Sequence, residues 1–230
     1  VEDWINKRRK PYYFSEKRIQ ACTSLSNITR LRSLNKKTQQ KASQASAAIR
    51  TKKLPDTAKN LSEDLAYLLG VIYGDGHVSR KQRRVILSAT DYDFVENFDK
   101  TLKRWSNFKT KFYVRNLKKP EYIRKRKPQW VSYIDSKEAS EYLIAFDLKE
   151  ILNSNEKHKN NFLKGIFDSE GYVAKDGSLY FYNTKEQLIY FVKELLNSLD
   201  IETILHKYKR ITLKKEEKDY FYLRIRNKDR

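Results

Sequence analysis

Cysteine, methionine and histidine are all scarce in this chain. Cys22 is its single cysteine and methionine is absent from its 230 residues, so an intramolecular disulfide framework and a multi-cysteine zinc site are both excluded. The three histidines, His77, His158 and His206, share no metal-ligand spacing. No run approaches eighteen apolar residues, which excludes a membrane-spanning helix. The first residues carry no apolar core of the kind a secretory signal needs. Position 1 holds neither Cys nor Ser and the chain does not close on His-Asn, which argues against a self-splicing element. An intracellular, soluble protein is expected, in cytoplasm, nucleoid or an organelle matrix. Asp and Glu number 29 against 49 Lys and Arg, a net charge of +20. Such an excess favours a polyanionic partner, above all nucleic acid. An anionic membrane surface fits less well, because no basic amphipathic helix with a broad apolar face stands out. The hydrophobic share is only 39%, but 13% aromatics supply volume for a core.

The charge is uneven. Residues 1–61 hold 15 Lys/Arg and 4 Asp/Glu, a net of +11. They are poor in apolar residues after Phe14 and rich in Ser, Thr, Gln and Ala, which reads as a basic arm with short helices, either solvated or tracking DNA. Two pieces of it, Glu16–Ile28 and Lys37–Ile49, are weakly related. From Ser62 the pattern is that of a compact region. Ser62 is a helix N-cap with Glu63 and Asp64 in the first turn. The helix EDLAYLLGVIYG is apolar nearly all round, so it is expected to be buried, ending at Gly76. Strands follow at His77–Arg80 and Arg84–Ala89, a helix at Asp91–Trp105, strands at Lys109–Asn116 and Gln129–Asp135, and helices at Ser136–Ala145 and Leu148–Leu152. The order then recurs: an apolar helix His158–Ser169, a hairpin Tyr172–Lys175 and Leu179–Asn183 turning at Asp176-Gly177, a helix Lys185–Leu199, and strands Thr203–Arg210 and Tyr220–Arg226. Two passes of the same order imply duplication, with halves at 62–154 and 155–230 and a four-stranded sheet in each.

Only six glycines are present, and five fall in two segments, Gly70-Val-Ile-Tyr-Gly74-Asp75-Gly76 and Gly165-Ile-Phe-Asp168-Ser169-Glu170-Gly171. Glycine inside a helix costs roughly 0.5–1 kcal/mol relative to Ala, and close approach of two backbones is the usual reason for it. Gly70 and Gly74 share one helix face, as do Gly165 and Ser169. Helices packed through these small residues would set Asp75 and Glu170 side by side. Like charges at close range repel unless a proton or cation intervenes, and carboxylate and backbone oxygens are what Mg²⁺ takes. Asp75 and Glu170, with the backbone oxygens at Gly74 and Ser169, are therefore the candidate metal site for phosphodiester hydrolysis. Two ordinary helix C-caps with solvated acids are the structural alternative.

These segments resemble the LAGLIDADG homing endonucleases. Leu68-Leu69-Gly70-Val71-Ile72-Tyr73-Gly74-Asp75-Gly76 is the first copy of the motif and Leu163-Lys164-Gly165-Ile166-Phe167-Asp168-Ser169-Glu170-Gly171 the second. The resemblance runs from about Leu61 onward in element order and is sharp in the two motifs. It implies an α+β fold of two αββαββα-type halves in a monomer, with two antiparallel sheets forming a saddle over the DNA major groove. It also implies that Asp75 and Glu170 bind Mg²⁺ or Mn²⁺ and each serve the cutting of one strand, with Ca²⁺ supporting binding without cleavage. Asp168 points elsewhere by helical spacing. The partner implied is duplex DNA of roughly 20 base pairs, two turns of helix, with no obligate protein partner and no membrane. Many members carry Lys or Gln near the metal. Here those slots hold Ser88, Ala89 and Thr90 in one half and Asn183 and Thr184 in the other, with Lys185 adjacent. Two further family roles therefore stay open beside an intron-encoded double-strand endonuclease: a maturase binding intron RNA, and a DNA-binding regulator without cleavage.

The reading surface follows from alternation. Lys109, Lys111, Tyr113 and Arg115 share one face, with Phe112 and Val114 behind. Tyr220, Tyr222, Arg224 and Arg226 face one way, against Phe221, Leu223 and Ile225. Lys207 and Lys209 form a shorter version, and the loop Arg124-Lys125-Arg126-Lys127 is a phosphate contact or a solvated turn.

Overall fold

The computed structural model describes residues 35–44, 53–115, 127–211 and 217–225. Two compact units divide between Ile49 and Arg50. In the first, residues 35–44 form a helix exposed along its length. Most of the weak repeat and of the basic arm lies outside the described residues, as do Arg124, Lys125, Arg126 and Arg226.

The second unit begins ahead of the boundary expected at residue 61. Leu54 and Ala58, the latter in a 3-10 turn Asp56–Lys59, are buried in the hydrophobic core. The Trp105 indole N–H donates to the Ala58 carbonyl at 2.8 Å, the Tyr142 hydroxyl to the Lys59 carbonyl at 2.7 Å, and the Leu54 amide to the Glu138 carboxylate at 2.6 Å. Residues 53–61 are thus held by the first half as part of its core, despite their basic surroundings.

Six α-helices follow among the described residues: α1 (Glu63–Tyr73), α2 (Tyr92–Ser106), α3 (Lys137–Ala145), α4 (Lys149–Leu152), α5 (Glu156–Glu170) and α6 (Glu186–Asn197). Four start on side-chain caps. Ser62, Asp91, Ser136 and Asn155 accept from the backbone amides of Leu65, Phe94, Ala139 and His158 at 3.0–3.2 Å. Each such cap is worth about 1 kcal/mol. Every residue from Leu65 to Val71 in α1 is buried, as its all-round apolar sequence requires.

The strands are β1 (His77–Ser79), β2 (Arg84–Ala89), β3 (Lys111–Arg115), β4 (Gln129–Asp135), β5 (Gly171–Val173), β6 (Leu179–Asn183), β7 (Thr203–Ile211) and β8 (Glu217–Ile225). They form two antiparallel sheets of order β1-β2-β4-β3 and β5-β6-β8-β7, the same order shifted by four. The duplication expected from the sequence is present in the topology. One face of each sheet is covered by its own helix. Val85, Leu87 and Ile134 pack with Val95, Phe98 and Leu102 of α2, and Phe181 and Leu223 with Leu188, Ile189 and Val192 of α6, all in the core. The β5–β6 hairpin turns at Asp176-Gly177 as expected, with Gly177 at φ 77°.

Candidate metal acids and nucleic-acid interface

Helices α1 and α5 meet at the expected glycines, closer than any side chain allows. A Cβ on Gly70 would lie 2.2 Å from the Phe162 carbonyl oxygen and 2.8 Å from the Ile166 nitrogen. A Cβ on Gly165 would lie 2.2 Å from the Tyr67 carbonyl oxygen. Because the obstructing atoms are backbone, no rotamer change makes room. Further along, Gly74 faces Ser169, whose Cβ would be 2.4 Å from a Cβ on Gly74. The Ser169 hydroxyl donates back to the Gly165 carbonyl at 3.0 Å and would itself lie 2.7 Å from a Cβ on Gly74, so the serine side chain fills the space this glycine leaves.

This contact sets the two motif acids together at the end of the helix pair. Glu170 is the last residue of α5. In the first half the helix stops earlier than its sequence suggests, at Tyr73 and not at Gly76: Gly74 is the cap and Asp75 sits in the turn beyond. The carboxyl pKa of Asp75 is raised by burial. That of Glu170 is raised by burial and then by the charge of Asp75, while Lys185 pulls it back. Asp75 stands exposed in its turn with Glu170 half-buried beside it, and the charge of the first raises the carboxyl of the second; a carboxylate pair of this kind has the donor chemistry that suits Mg²⁺. Among the described residues no third Asp, Glu, His or Cys joins them. Asp168 is spent elsewhere: it accepts from the Tyr67 hydroxyl at 3.0 Å across the helix pair. Of the slots expected near the metal, Ser88 donates to the Gln129 side chain at 3.3 Å, and Lys185 is the cation that reaches Glu170's field.

The register decides which basic residues share the uncovered face of each sheet. In the first sheet Lys111, Tyr113 and Arg115 pair with Tyr133, Val131 and Gln129, and Arg84 pairs with Asp135. These residues stand opposite to the face that α2 covers. Arg84 is pinned there, 2.7 Å from Asp135 and 4.0 Å over the Tyr133 ring. Lys111 lies 3.8 Å from Asp135, and Arg115 donates to the Tyr113 hydroxyl at 3.4 Å. Lys109 precedes the strand, which starts at Lys111, and exposed Lys127 lies just before β4.

In the second sheet the expectation for Lys207 and Lys209 is corrected. They pair with Phe221 and Asp219, and Phe221 is buried in the core. Both lysines are therefore on the helix side. Lys207 lies over the Phe221 ring and 3.0 Å from Asp219, and Lys209 is 3.0 Å from Glu217. The uncovered face carries Tyr172, Tyr180, Tyr182, Ile204, His206, Tyr208, Tyr220, Tyr222 and Arg224. Tyr220, Tyr222 and Arg224 were expected there. Tyr172, Tyr180, Tyr182, His206 and Tyr208 were not, although the alternation Leu-Tyr-Phe-Tyr-Asn in β6 carried the signal.

Comparison with known proteins places this arrangement. A family model described as a LAGLIDADG-like domain matches residues 62–145 and again 157–230. The chain belongs to this LAGLIDADG-like family. Two uncharacterized proteins of Methanocaldococcus jannaschii are 35% and 29% identical over 158 and 149 residues, or 62% and 63% of this chain. The chain spans just over half the length of these relatives, 57% and 52%. Among solved structures, mesophilic variants of the homing endonuclease I-DmoI are similar with a TM-score of 0.53 at 22% identity, covering 74% of this chain and 91% of theirs. I-DmoI in complex with DNA and Mn has a TM-score of 0.52 at 21% identity, with coverage of 73% and 91%. The LAGLIDADG fold of two repeats, mixed α+β with two four-stranded antiparallel sheets, is thereby shown for this chain. No helix among the described residues is long and apolar enough to cross a membrane.

Proposed function

We propose that this protein is a site-specific double-strand DNA endonuclease of the homing type, acting as a monomer with a divalent metal. The observation that carries the proposal is the approach of Asp75 and Glu170 at the end of a glycine-mediated helix pair, beside two sheets with uncovered polar faces. I-DmoI, whose fold this chain shares, has been solved with DNA and Mn and with DNA and Ca. Asp75 and Glu170, with backbone oxygens at Gly74 and Ser169, would hold Mg²⁺ or Mn²⁺. Bound there, the metal supplies an activated water and charge stabilisation at the scissile phosphates. The protein's own part is to hold the two carboxylates together, with Lys185 favouring the ionised form of Glu170, and to keep the spacing between the halves fixed. The halves 62–154 and 155–230 each lay one sheet on half of a target near 20 base pairs. Arg84, Lys111, Tyr113 and Arg115 read or position one half; Tyr220, Tyr222, Arg224 and Arg226 the other. Arg124, Lys125, Arg126 and Lys127 and the basic arm add phosphate contacts, which position the duplex without specifying its sequence. An intron-borne gene and an intracellular setting belong to the same reading.

The test is a cleavage selection on a randomised duplex library with Mg²⁺, followed by mapping of the cut ends. Recovery of one recurrent site, cut on both strands, supports the endonuclease. Enrichment of a bound site that is never cut would leave a DNA-binding regulator, and retention of intron RNA without any duplex preference would make it a maturase.

A further inference from the structure

The uncovered faces of the two sheets differ in kind. The first presents Arg84, Lys111 and Arg115 among Tyr113, Tyr133 and Gln129. The middle of the second is mostly aromatic: Tyr172, Tyr180, Tyr182, His206, Tyr208 and Tyr222 line an open basin of about 570 Å³ together with Ala174 and Lys207, whose ammonium is held 3.0 Å from Asp219. Tyr172, Tyr182 and Tyr208 are 55%, 37% and 38% exposed. Among the described side chains of this face, the one cation is Arg224, and it is engaged. It lies 3.2 Å from Asp176 and 5.6 Å over the Tyr180 ring, and donates to the Ser178 hydroxyl at 3.3 Å.

The rings are not laid flat. His206 and Tyr222 are 4.6 Å apart between centroids at 14°, and Tyr208 and Tyr220 are 5.7 Å apart at 26°. Nearly parallel rings as close as the first pair are stacked face to face, since flat-lying neighbours would collide. His206 and Tyr222 thus spend a face on each other, while Tyr208 meets Tyr222 edge-on at 62° and Tyr182 meets it tilted at 35°, which leaves ring edges and phenol oxygens to a ligand. A platform for unpaired bases needs free ring faces. Edges and hydroxyls suit the floor of a duplex groove instead. A phenol hydroxyl can donate or accept, so it discriminates poorly among base edges. An apolar ring edge discriminates well for the C5 methyl of thymine, which only A·T pairs present in the major groove.

We infer that the half-site lying on β5–β8 is A·T-rich and is read through thymine methyl groups by the tyrosine cluster centred on Tyr182, Tyr208 and Tyr222, whereas the half-site on β1–β4 is read by Arg115. This rests on the DNA-binding reading above and goes beyond it in assigning different chemistry to the two halves. A duplex library is selected by the full chain in Ca²⁺, and the half whose preferences shift in Arg115→Ala is assigned to the first sheet. Thymines are then replaced by deoxyuridine, which removes only the methyl, in one half at a time. In the second half the affinity should fall about fourfold for each methyl that meets a ring edge, and in the first half by less than twofold, since one buried methyl is worth somewhat under a factor of ten. Tyr182→Phe should keep this methyl sensitivity and Tyr182→Ala should lose part of it. Two results overturn the inference alone: a selected site whose halves both tolerate deoxyuridine, or a second half rich in G·C. Failure to enrich any duplex in Ca²⁺ overturns the DNA-binding reading and this inference with it.

Discussion

Asp75 and Glu170 were legible in the sequence because spacing alone put them at matched ends of two glycine-marked helices. Their electrostatics add a prediction. Both folded-state pKa values are raised, by burial and, for Glu170, by its neighbour. Raised carboxyl pKa values stabilise the fold at acid pH and withdraw that stability as pH rises through them. At neutral pH without metal the ionised pair is therefore a burden. Glu170→Gln should raise the metal-free Tm at pH 7.5, by about 2–4 °C per kcal/mol relieved, Asp75→Asn should raise it by less because its carboxylate is exposed to solvent, and both gains should shrink toward pH 4. Thermal melts across that range check it; a lowered Tm at pH 7.5 would mean the acids are structural partners. Lys207 and Lys209 show what the sequence hid. Alternation in β7 separates two faces but does not name the outer one; the clue was that Leu205 shares their parity. Arg115→Ala should weaken duplex binding by about 1–3 kcal/mol if it reaches a guanine, while Lys207→Ala, on the helix side, should leave binding nearly unchanged. Equal losses in titrations of the two variants would contradict the register-based assignment.

Among the elements, the contact between α1 and α5 positions the acids. A methyl on Gly70 or Gly165 meets backbone at 2.2 Å, so even alanine must push the helices apart. Gly70→Ala and Gly165→Ala should each destabilise by about 1–3 kcal/mol, the usual range for overpacking, and should depress cleavage more than Ca²⁺-supported binding, because the acids separate before the sheets do. Denaturant melts and paired binding and cleavage assays check this. Most elements were readable from caps, alternation and the Asp-Gly turn. Their ends were less so: α1 stops at Tyr73 because Gly74 takes the cap, and β3 starts at Lys111, past residues the alternation would have included. Ends depend on which partner strand or helix is alongside, which local sequence does not state.

For the whole molecule, duplication was visible in the sequence, but the edge of the compact unit was not. Leu54 and Ala58 look like stray apolar residues in a basic stretch; hydrogen bonds to partners 84 and 47 positions away make them core. Removing residues 1–49, with 11 Lys/Arg against 3 Asp/Glu, should leave the fold intact. It should weaken DNA binding alike for all sequences, with the slope of log K against log salt shallower by about 0.9 for each phosphate the arm no longer neutralises. Removing residues 1–60 should unfold or strongly destabilise the protein, because it strips Leu54, Ala58 and the acceptor for Trp105. The central claim is that one pair of acids, one from each half, serves cleavage of both strands. Its most direct measurement is cleavage of the selected duplex by the wild type, Asp75→Asn and Glu170→Gln in Mg²⁺, with binding measured in Ca²⁺. All three should bind alike. The wild type should break both strands, and each variant should lose double-strand cleavage by more than the roughly 10–100-fold that loss of a metal's outer partners costs. Either variant cutting both strands at the wild-type rate, or a wild type that binds its duplex tightly and leaves it whole in Mg²⁺, would contradict the account.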